Sequence, residues 1–275
     1  MNKYGLVILI LLILAFGVRA QERVVFQMGD PPGDDWGAGD LRYPRHQVFV
    51  SGLFDLRKFV VVEEQKYVCF DFQFTTITNP FGAPEGYFHQ RLEVYLDTSY
   101  PGGKEDIVFA QHELKTSPDY GWEVRLAVAP FEESYLEYST PNQQRRVTEG
   151  ISSYVQPDGK TIRVQVLKEL LPEANRSWRY YVLVGSFDGL AEGFWRDLGI
   201  NPWDVGGEGA PIFDLLAPRW GLRSQKHQLT KGVLHPVGPG WGGNLPWLLI
   251  CLVAALAVGA VFWVIYLWRW LHARN

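Results

Sequence analysis

Tyr67-Val-Cys-Phe-Asp-Phe-Gln-Phe74 is the stretch that decides the fold. Val68, Phe70, Phe72 and Phe74 point one way and Cys69, Asp71 and Gln73 the other, which is the period of a strand with one face in a core. The same alternation recurs in Arg91-Leu-Glu-Val-Tyr-Leu96 and in Trp122-Glu-Val-Arg-Leu-Ala-Val128. Gln156-Pro-Asp-Gly159 separates Ser153-Tyr-Val155 from Thr161-Ile-Arg-Val-Gln-Val166, and its Asp-Gly pair suits a hairpin turn. Asn79-Pro80-Phe-Gly82 and Tyr100-Pro-Gly-Gly103 close other strands. Further strands are expected at 24–27, 47–50, 57–63, 107–110 and 178–186. The only helical candidates are short, Lys168 to Glu173 and Ile212 to Leu216. Nine or ten short strands with so little helix predict an all-β chain, an antiparallel β-sandwich over residues 21–230.

The two ends of the chain bear on its location. An apolar run from Gly5 to Phe16 lies behind Lys3 and leads to Val18-Arg19-Ala20, the layout of a signal peptide (1–20) cut after Ala20. An uncleaved first membrane helix is the alternative. A second run, from Leu245 to Trp268, carries no charge and is followed by Arg269 and Arg274. With Trp247 at one end and Trp263, Tyr266, Trp268 and Trp270 at the other, residues 246–268 are expected to form a transmembrane helix. Residues 231–245, rich in Gly and Pro, would tether the sandwich to it, and residues 269–275 would form a cytoplasmic tail. The membrane bilayer is then one partner, and the sandwich lies outside the cytoplasm.

Composition excludes several classes of function. The net charge of −4 and the lack of a basic stripe argue against nucleic acid. Cys69 sits in a strand and Cys251 in the membrane run, so they cannot pair within one chain, and no Cys/His zinc spacing occurs. The six histidines show no metal or triad spacing, and no nucleophile elbow or phosphate loop is present. Met28 is the only methionine of the exported part, a weak basis for haem ligation. Glu93, Asp97, Glu123 and Asp71 alternate with apolar residues and are expected on a solvated outer face. Asn175-Arg-Ser177 is a glycosylation triplet.

The segment Asp30-Pro-Pro-Gly-Asp-Asp-Trp-Gly-Ala-Gly-Asp-Leu-Arg-Tyr-Pro44 holds four carboxylates, three glycines and three prolines in fifteen residues. Asp30, Asp34, Asp35 and Asp40, with Asp55 from the next strand, offer hard oxygen ligands for calcium, while the glycines let carbonyls turn inward. The competing reading is a loop of Asx-turns whose carboxylates accept backbone N–H groups. Ser186-Phe-Asp-Gly189 is a second acidic turn that could approach the same ion. Among the 11 tryptophans, Trp36, Trp195, Trp203, Trp220 and Trp241 fall in loops. Trp195 beside Arg196-Asp197, and Trp203 beside Asp204, have the character of a saccharide platform, with Trp195, Trp203, Arg196 and Asp204 as candidate contacts. Alternatively these rings plug the ends of the sandwich.

In order along the chain, Asp30-Pro-x-Gly-Asp-Asp-x-Gly-x-Gly with Tyr43-Pro44, Phe54-Asp-Leu56 and Phe59, Asn79-Pro80, Gly86, Gln90 and Val94-Tyr-Leu-Asp97 resemble the C-terminal domain family of glucodextranase. Trp178-x-Tyr180-x-Val182, Ser186-x-Asp188-Gly189 and Pro211-x-x-Asp214-Leu-Leu216 continue the resemblance. That family is similar to family-nine carbohydrate-binding modules and DOMON-like sandwiches. The resemblance implies a non-catalytic sandwich whose loops are supported by calcium, associated with α-glucan processing. The expected function is therefore a membrane-anchored carbohydrate- or envelope-binding module, serving a polysaccharide, a glycan-processing enzyme or a transporter. The alternative is a structural or partner-docking module with no sugar involved.

Overall fold

In the computed structural model, the described residues are 22–98, 102–109, 112–140 and 143–239, with Leu256 and Trp263 as two further positions, both helical. The chain divides into two compact units, Met1–Trp241 and Gly242–Asn275. The signal segment lies outside the described residues, and so does all of the run 245–268 except those two positions. Among the described residues no helix is long and apolar enough to cross a membrane.

The first unit is built on two antiparallel sheets. One joins β1 (Arg23–Gly29), β2 (Leu56–Glu63), β3 (Tyr67–Phe74), β10 (Thr161–Leu167) and β9 (Ile151–Val155) in the order β1-β2-β3-β10-β9. The other joins β12 (Ile212–Leu215), β11 (Arg179–Ser186), β4 (Gln90–Asp97), β6 (Val124–Val128), β7 (Tyr135–Thr140) and β8 (Gln143–Val147) in the order β12-β11-β4-β6-β7-β8. A parallel pair, β5 (Lys115–Thr116) with β13 (Val233–Leu234), lies outside both sheets.

The alternation read from the sequence sets the inner faces. Phe70, Phe72 and Phe74 of β3 meet Leu92, Val94 and Leu96 of β4 and Tyr180, Val182 and Val184 of β11 in one continuous core. The expected hairpin joins β9 to β10. Asp158 accepts the N–H groups of Lys160 and Thr161, each at 2.9 Å, and Gly159 adopts the positive φ that the turn needs.

The outer face of the six-stranded sheet departs from expectation. Glu93 and Asp97 were expected in solvent but are buried, as is Asp71 on β3 of the other sheet. Tyr95, Tyr181 and Leu183 lie on that outer face, and Ile107, Phe109, Trp122 and Trp195 from the loops cover them in a second apolar cluster. Glu93 then needs counter-charges, because an ion removed from water is costly unless it is paired. Arg125 donates to both Glu93 oxygens and Arg91 to one, each at 2.6 Å, while Arg125 also reaches Glu137 at 3.0 Å. Burial alone would raise the Glu93 pKa, but the Arg125 and Arg91 guanidinium groups hold it below the usual carboxylate range.

Other elements shift for local reasons. Residues 47–50 and 107–109 are turns and irregular chain and not strands. Ile212–Leu215, expected as helix, is strand β12: four buried residues in a row suit a strand covered on both faces as well as they suit a short helix. Only Lys168–Leu170 of the other expected helix forms, as a single 3-10 turn. The α-helix α1 (Gln225–Lys231) and β13 fall where Pro, Gly and Trp hid any period. Val237, placed by the sequence in a tether, exchanges backbone hydrogen bonds with Tyr180 at 2.7 and 2.8 Å, so the folded unit extends at least that far. Among the described residues both cores and every strand pairing lie within 22–239, the make-up of a folding unit with its own core.

Candidate functional site

The acidic loop is held by three elements. Where β1 ends, the Asp30 N–H donates to Arg57 O at 3.0 Å, and further on the Gly37 N–H donates to Phe213 O of β12 at 2.9 Å. Gln225 of α1 closes the assembly, donating to Gly37 O at 3.1 Å and to Asp34 O, and accepting from the Leu215 N–H at 2.6 Å. This stitching brings Asp30, Asp34 and Asp214 together, with one ligand oxygen of each within 4.8 Å of the others.

One oxygen of each buried partner is committed. Asp30 Oδ1 accepts the Ala217 N–H at 3.0 Å and Asp214 Oδ2 accepts the Leu56 N–H at 2.8 Å. The remaining Asp30 Oδ2 and Asp214 Oδ1, with Asp34 Oδ1, are buried and have no hydrogen-bond partner among the described residues. Three such oxygens repel one another when ionised. Burial first, and then the neighbouring carboxylates, push Asp30 and Asp214 well above the ordinary aspartate range and raise Asp34 from 3.8 to about 6. The site is therefore at ease only when protonated or when a cation sits among the oxygens. All three are hard donors of the kind that calcium takes.

Of the five acids expected to ligate, the structure brings Asp30 and Asp34 into this group. Asp55 lies nearby with both oxygens engaged, accepting Gly33 N–H at 2.9 Å and the Thr75 hydroxyl at 2.5 Å. Asp35 accepts the Tyr43 hydroxyl, and burial raises its pKa. Asp40 is exposed and outside the group. Asp214 was missed as a ligand: it belongs to Pro211-x-x-Asp214-Leu-Leu216, a stretch that reads as helix in the sequence. Asp188, of the second acidic turn, pairs with Arg196 at 2.8 Å and belongs to a different part of the surface.

The saccharide candidates separate in the same way. Trp195 is only 4% exposed. Its ring lies on Gly185, where an added Cβ would come within 1.8 Å of Cζ3, so it plugs the outer layer and does not offer a face to solvent. Arg196 is buried and acts as a pin: it donates to Ser186 Oγ at 3.1 Å, Asp188 at 2.8 Å, Trp203 O at 3.1 Å and Phe187 O at 2.7 Å. Asp204 accepts the Asn201 N–H and side-chain amide at 2.9 and 2.8 Å, closing its own turn. Trp203 stacks on His46 with centroids 3.9 Å apart and lines a groove.

That groove, of about 640 Å³, was not foreseen. Phe81, Phe88, Phe131, Phe187, Phe194 and Trp203 line it together with Arg196, so two of the four expected contacts meet here, and Glu133 and Asp188 are its acidic groups. Phe131 and Phe194 hold φ of 59° and 63°, a left-handed conformation that costs a bulky residue about 1–3 kcal/mol. The Glu85 carboxylate holds the first of these turns by accepting the N–H groups of Phe131 and Glu132 at 3.0 and 2.6 Å. Beside the groove His89 is buried between Phe49 and Phe88, and neither ring nitrogen has a hydrogen-bond partner among the described residues. Burial, with the Arg196 charge behind it, lowers its pKa to about 4, so the ring is neutral near neutral pH.

A family model described as the C-terminal binding module, SLH-like, of glucodextranase matches residues 25–233. The chain belongs to this family. The matched stretch of the glucodextranase C-terminal module runs from β1 to β13, so it includes both sheets, the acidic cluster and the aromatic groove. The family is a binding module and not a catalytic domain. Among curated proteins, none matches this chain.

Proposed function

We propose that this protein is a non-catalytic module that binds saccharide of the cell envelope from outside the cytoplasm. The observation that carries the reading is the groove of Trp203 and five phenylalanines with acidic groups at Glu133 and Asp188. Aromatic planes pack against the C–H faces of sugar rings, and carboxylates accept hydroxyl protons. The Arg196 pin and the Glu85-held turn support the aromatic walls, which favours a preformed site.

In this reading residues 1–20 export the chain and residues 246–268 hold it in a membrane. The groove lies at the Ser186 end of β11, next to Phe187, while the chain leaves the sandwich at the other end, where Val237 pairs with Tyr180. Calcium among Asp30, Asp34 and Asp214 would tie the N-terminal loop to β12 and thereby steady the edge of the sandwich. The partners would be a polysaccharide, α-glucans first, together with an enzyme or transporter that handles it.

Titration calorimetry of α-glucan oligosaccharides and of envelope polysaccharide against residues 22–239 tests the reading. Binding is expected with the parent sequence, and a loss of at least tenfold, about 1.4 kcal/mol, with Trp203→Ala. A flat response across the glycan panel would favour protein docking at this groove, a second reading supported by the complete exposure of Leu190 on its rim.

A further inference from the structure

The loop that precedes α1 exposes apolar side chains which no part of the sandwich covers. Trp220 is 80% exposed and Leu222 is 74% exposed, within the sequence Pro218-Arg-Trp-Gly-Leu-Arg223. Of the other exposed apolar residues of this unit, Phe81 and Phe131 lean on neighbouring rings of the groove, and Leu190 and Ile200 stand as single exposed side chains, whereas Trp220 and Leu222 form a pair. In the sequence around Trp220 and Leu222 the charges are basic, Arg219, Arg223 and Lys226, with Lys231 at the end of α1, and in space the Arg219 charge acts on Asp34 of the neighbouring acidic loop. Lys226 Nζ reaches over the acidic loop to within 3.7 Å of the position a Gly39 Cβ would take, and half-exposed Trp36 belongs to that same loop. The loop is also tied to the point where the chain leaves the unit. Gln228 donates to Arg223 O at 2.5 Å and accepts from the His235 N–H at 2.5 Å, two residues before Val237.

We propose that this loop is a membrane-interface contact, in which Trp220 and Leu222 enter the headgroup region of an anionic bilayer while Arg219, Arg223 and Lys226 meet its phosphates. A tryptophan beside arginines is the pairing favoured at that depth, since the ring is apolar with one polar edge and the guanidinium stays among headgroups. The inference rests on the membrane-anchor reading in one respect. If residues 246–268 span the bilayer, the seven residues from 240 to 246 reach at most about 25 Å, which keeps this end of the sandwich close to the surface. Hydrophobic insertion and charge attraction then act together, and neither alone would hold the loop there.

Residues 22–239 lack the proposed anchor, so their binding to vesicles tests the loop by itself. The fragment should co-sediment with mixed phosphatidylcholine–phosphatidylglycerol vesicles at least about tenfold more strongly than with phosphatidylcholine alone, and salt should weaken the binding. Trp220→Ala with Leu222→Ala should abolish it, while Ile200→Ala, which removes an equally exposed side chain elsewhere, should leave it unchanged. Equal sedimentation of parent and double variant, or no binding to either vesicle, overturns the proposal. Circular dichroism of each variant confirms that the fold is retained. Carbonate extraction of the full chain from membranes tests the anchor separately: extraction would refute the anchor and leave the vesicle result standing.

Discussion

Calcium and pH should act on this protein's stability with opposite signs, and the acidic cluster sets both magnitudes. Asp34 has a folded pKa of about 6 against an ordinary 3.8, and those of Asp30 and Asp214 are raised well above it. The folded protein therefore binds these protons more tightly than the unfolded chain does. Without a divalent cation their contribution to stability is fully present below about pH 4 and is lost as the pH rises through about 6 for Asp34 and through the raised pKa values of the two buried acids. For Asp34 the full shift would be worth about 3 kcal/mol at 1.36 kcal/mol per pH unit, but the side chain is half-exposed, and solvent screening reduces this to about 1–2 kcal/mol. Calcium needs the ionised carboxylates, so its effect must grow over the same range. At a hundredfold excess over its dissociation constant it stabilises the folded state by about 2.7 kcal/mol, which for a unit of this size raises the melting temperature by about 5–10 °C.

Thermal unfolding of residues 22–239 at about pH 5 and about pH 8, with calcium or with a chelator, reads both effects. The chelated protein should melt lower at the higher pH, and added calcium should reverse that slope. Asp214→Asn is the decisive variant. Its amide oxygen can still accept the Leu56 N–H, but one of the three mutually repelling charges is gone. The chelated variant should melt higher than the chelated parent at about pH 8 and should lose most of its response to calcium. Melting curves that coincide with and without calcium at that pH would refute the metal site, and a destabilised chelated variant would refute the repulsion.

Two further outcomes follow from the packing. Glu93→Gln leaves Arg91 and Arg125 buried without their shared counter-charge and should lower stability by about 3–5 kcal/mol in urea unfolding; a loss below about 1 kcal/mol would mean that water reaches the guanidinium groups. Gly185→Ala drives a methyl group into the Trp195 ring, where the Cβ would be 1.8 Å from Cζ3, and should cost about 1–3 kcal/mol with a change in the tryptophan near-ultraviolet signal.

The sequence made the sandwich legible because period two survives wherever a strand has one face in the core. It carried β3, β4 and β6, whose inner faces hold the residues that alternation selected apart from Trp122, and it located β2 and the β9–β10 hairpin. It could not show that the outer face of β4 is covered too. Glu93 and Asp97 alternate as solvated residues do, and only the loop residues Ile107, Phe109 and Trp195, distant in the chain, reveal that they are enclosed. The acidic cluster was half legible. Asp30 and Asp34 share one glycine-rich loop, whereas Asp214 reaches them from a strand about 180 residues away through a sheet edge that no spacing encodes.

The groove shows why sequence could not tell the loop tryptophans apart and what a better signal would have been. Trp195 and Trp203 stand eight positions apart in one polar loop region, yet one closes on Gly185 and the other lines the groove. The surrounding phenylalanines come from four separate segments, at 81–88, 131, 187 and 194. Phe131 opens Phe131-Glu-Glu133, next to Pro130, a turn in which two non-glycine residues take positive φ. Such a turn persists only if something outside it compensates, and here Glu85 does so by accepting two of its N–H groups. Because that carboxylate comes from the loop that also carries Phe81 and Phe88, the two walls are fixed relative to each other before any ligand arrives. A rigid ring entering between them would then order little of the protein, which is the condition under which a modest contact area gives useful affinity.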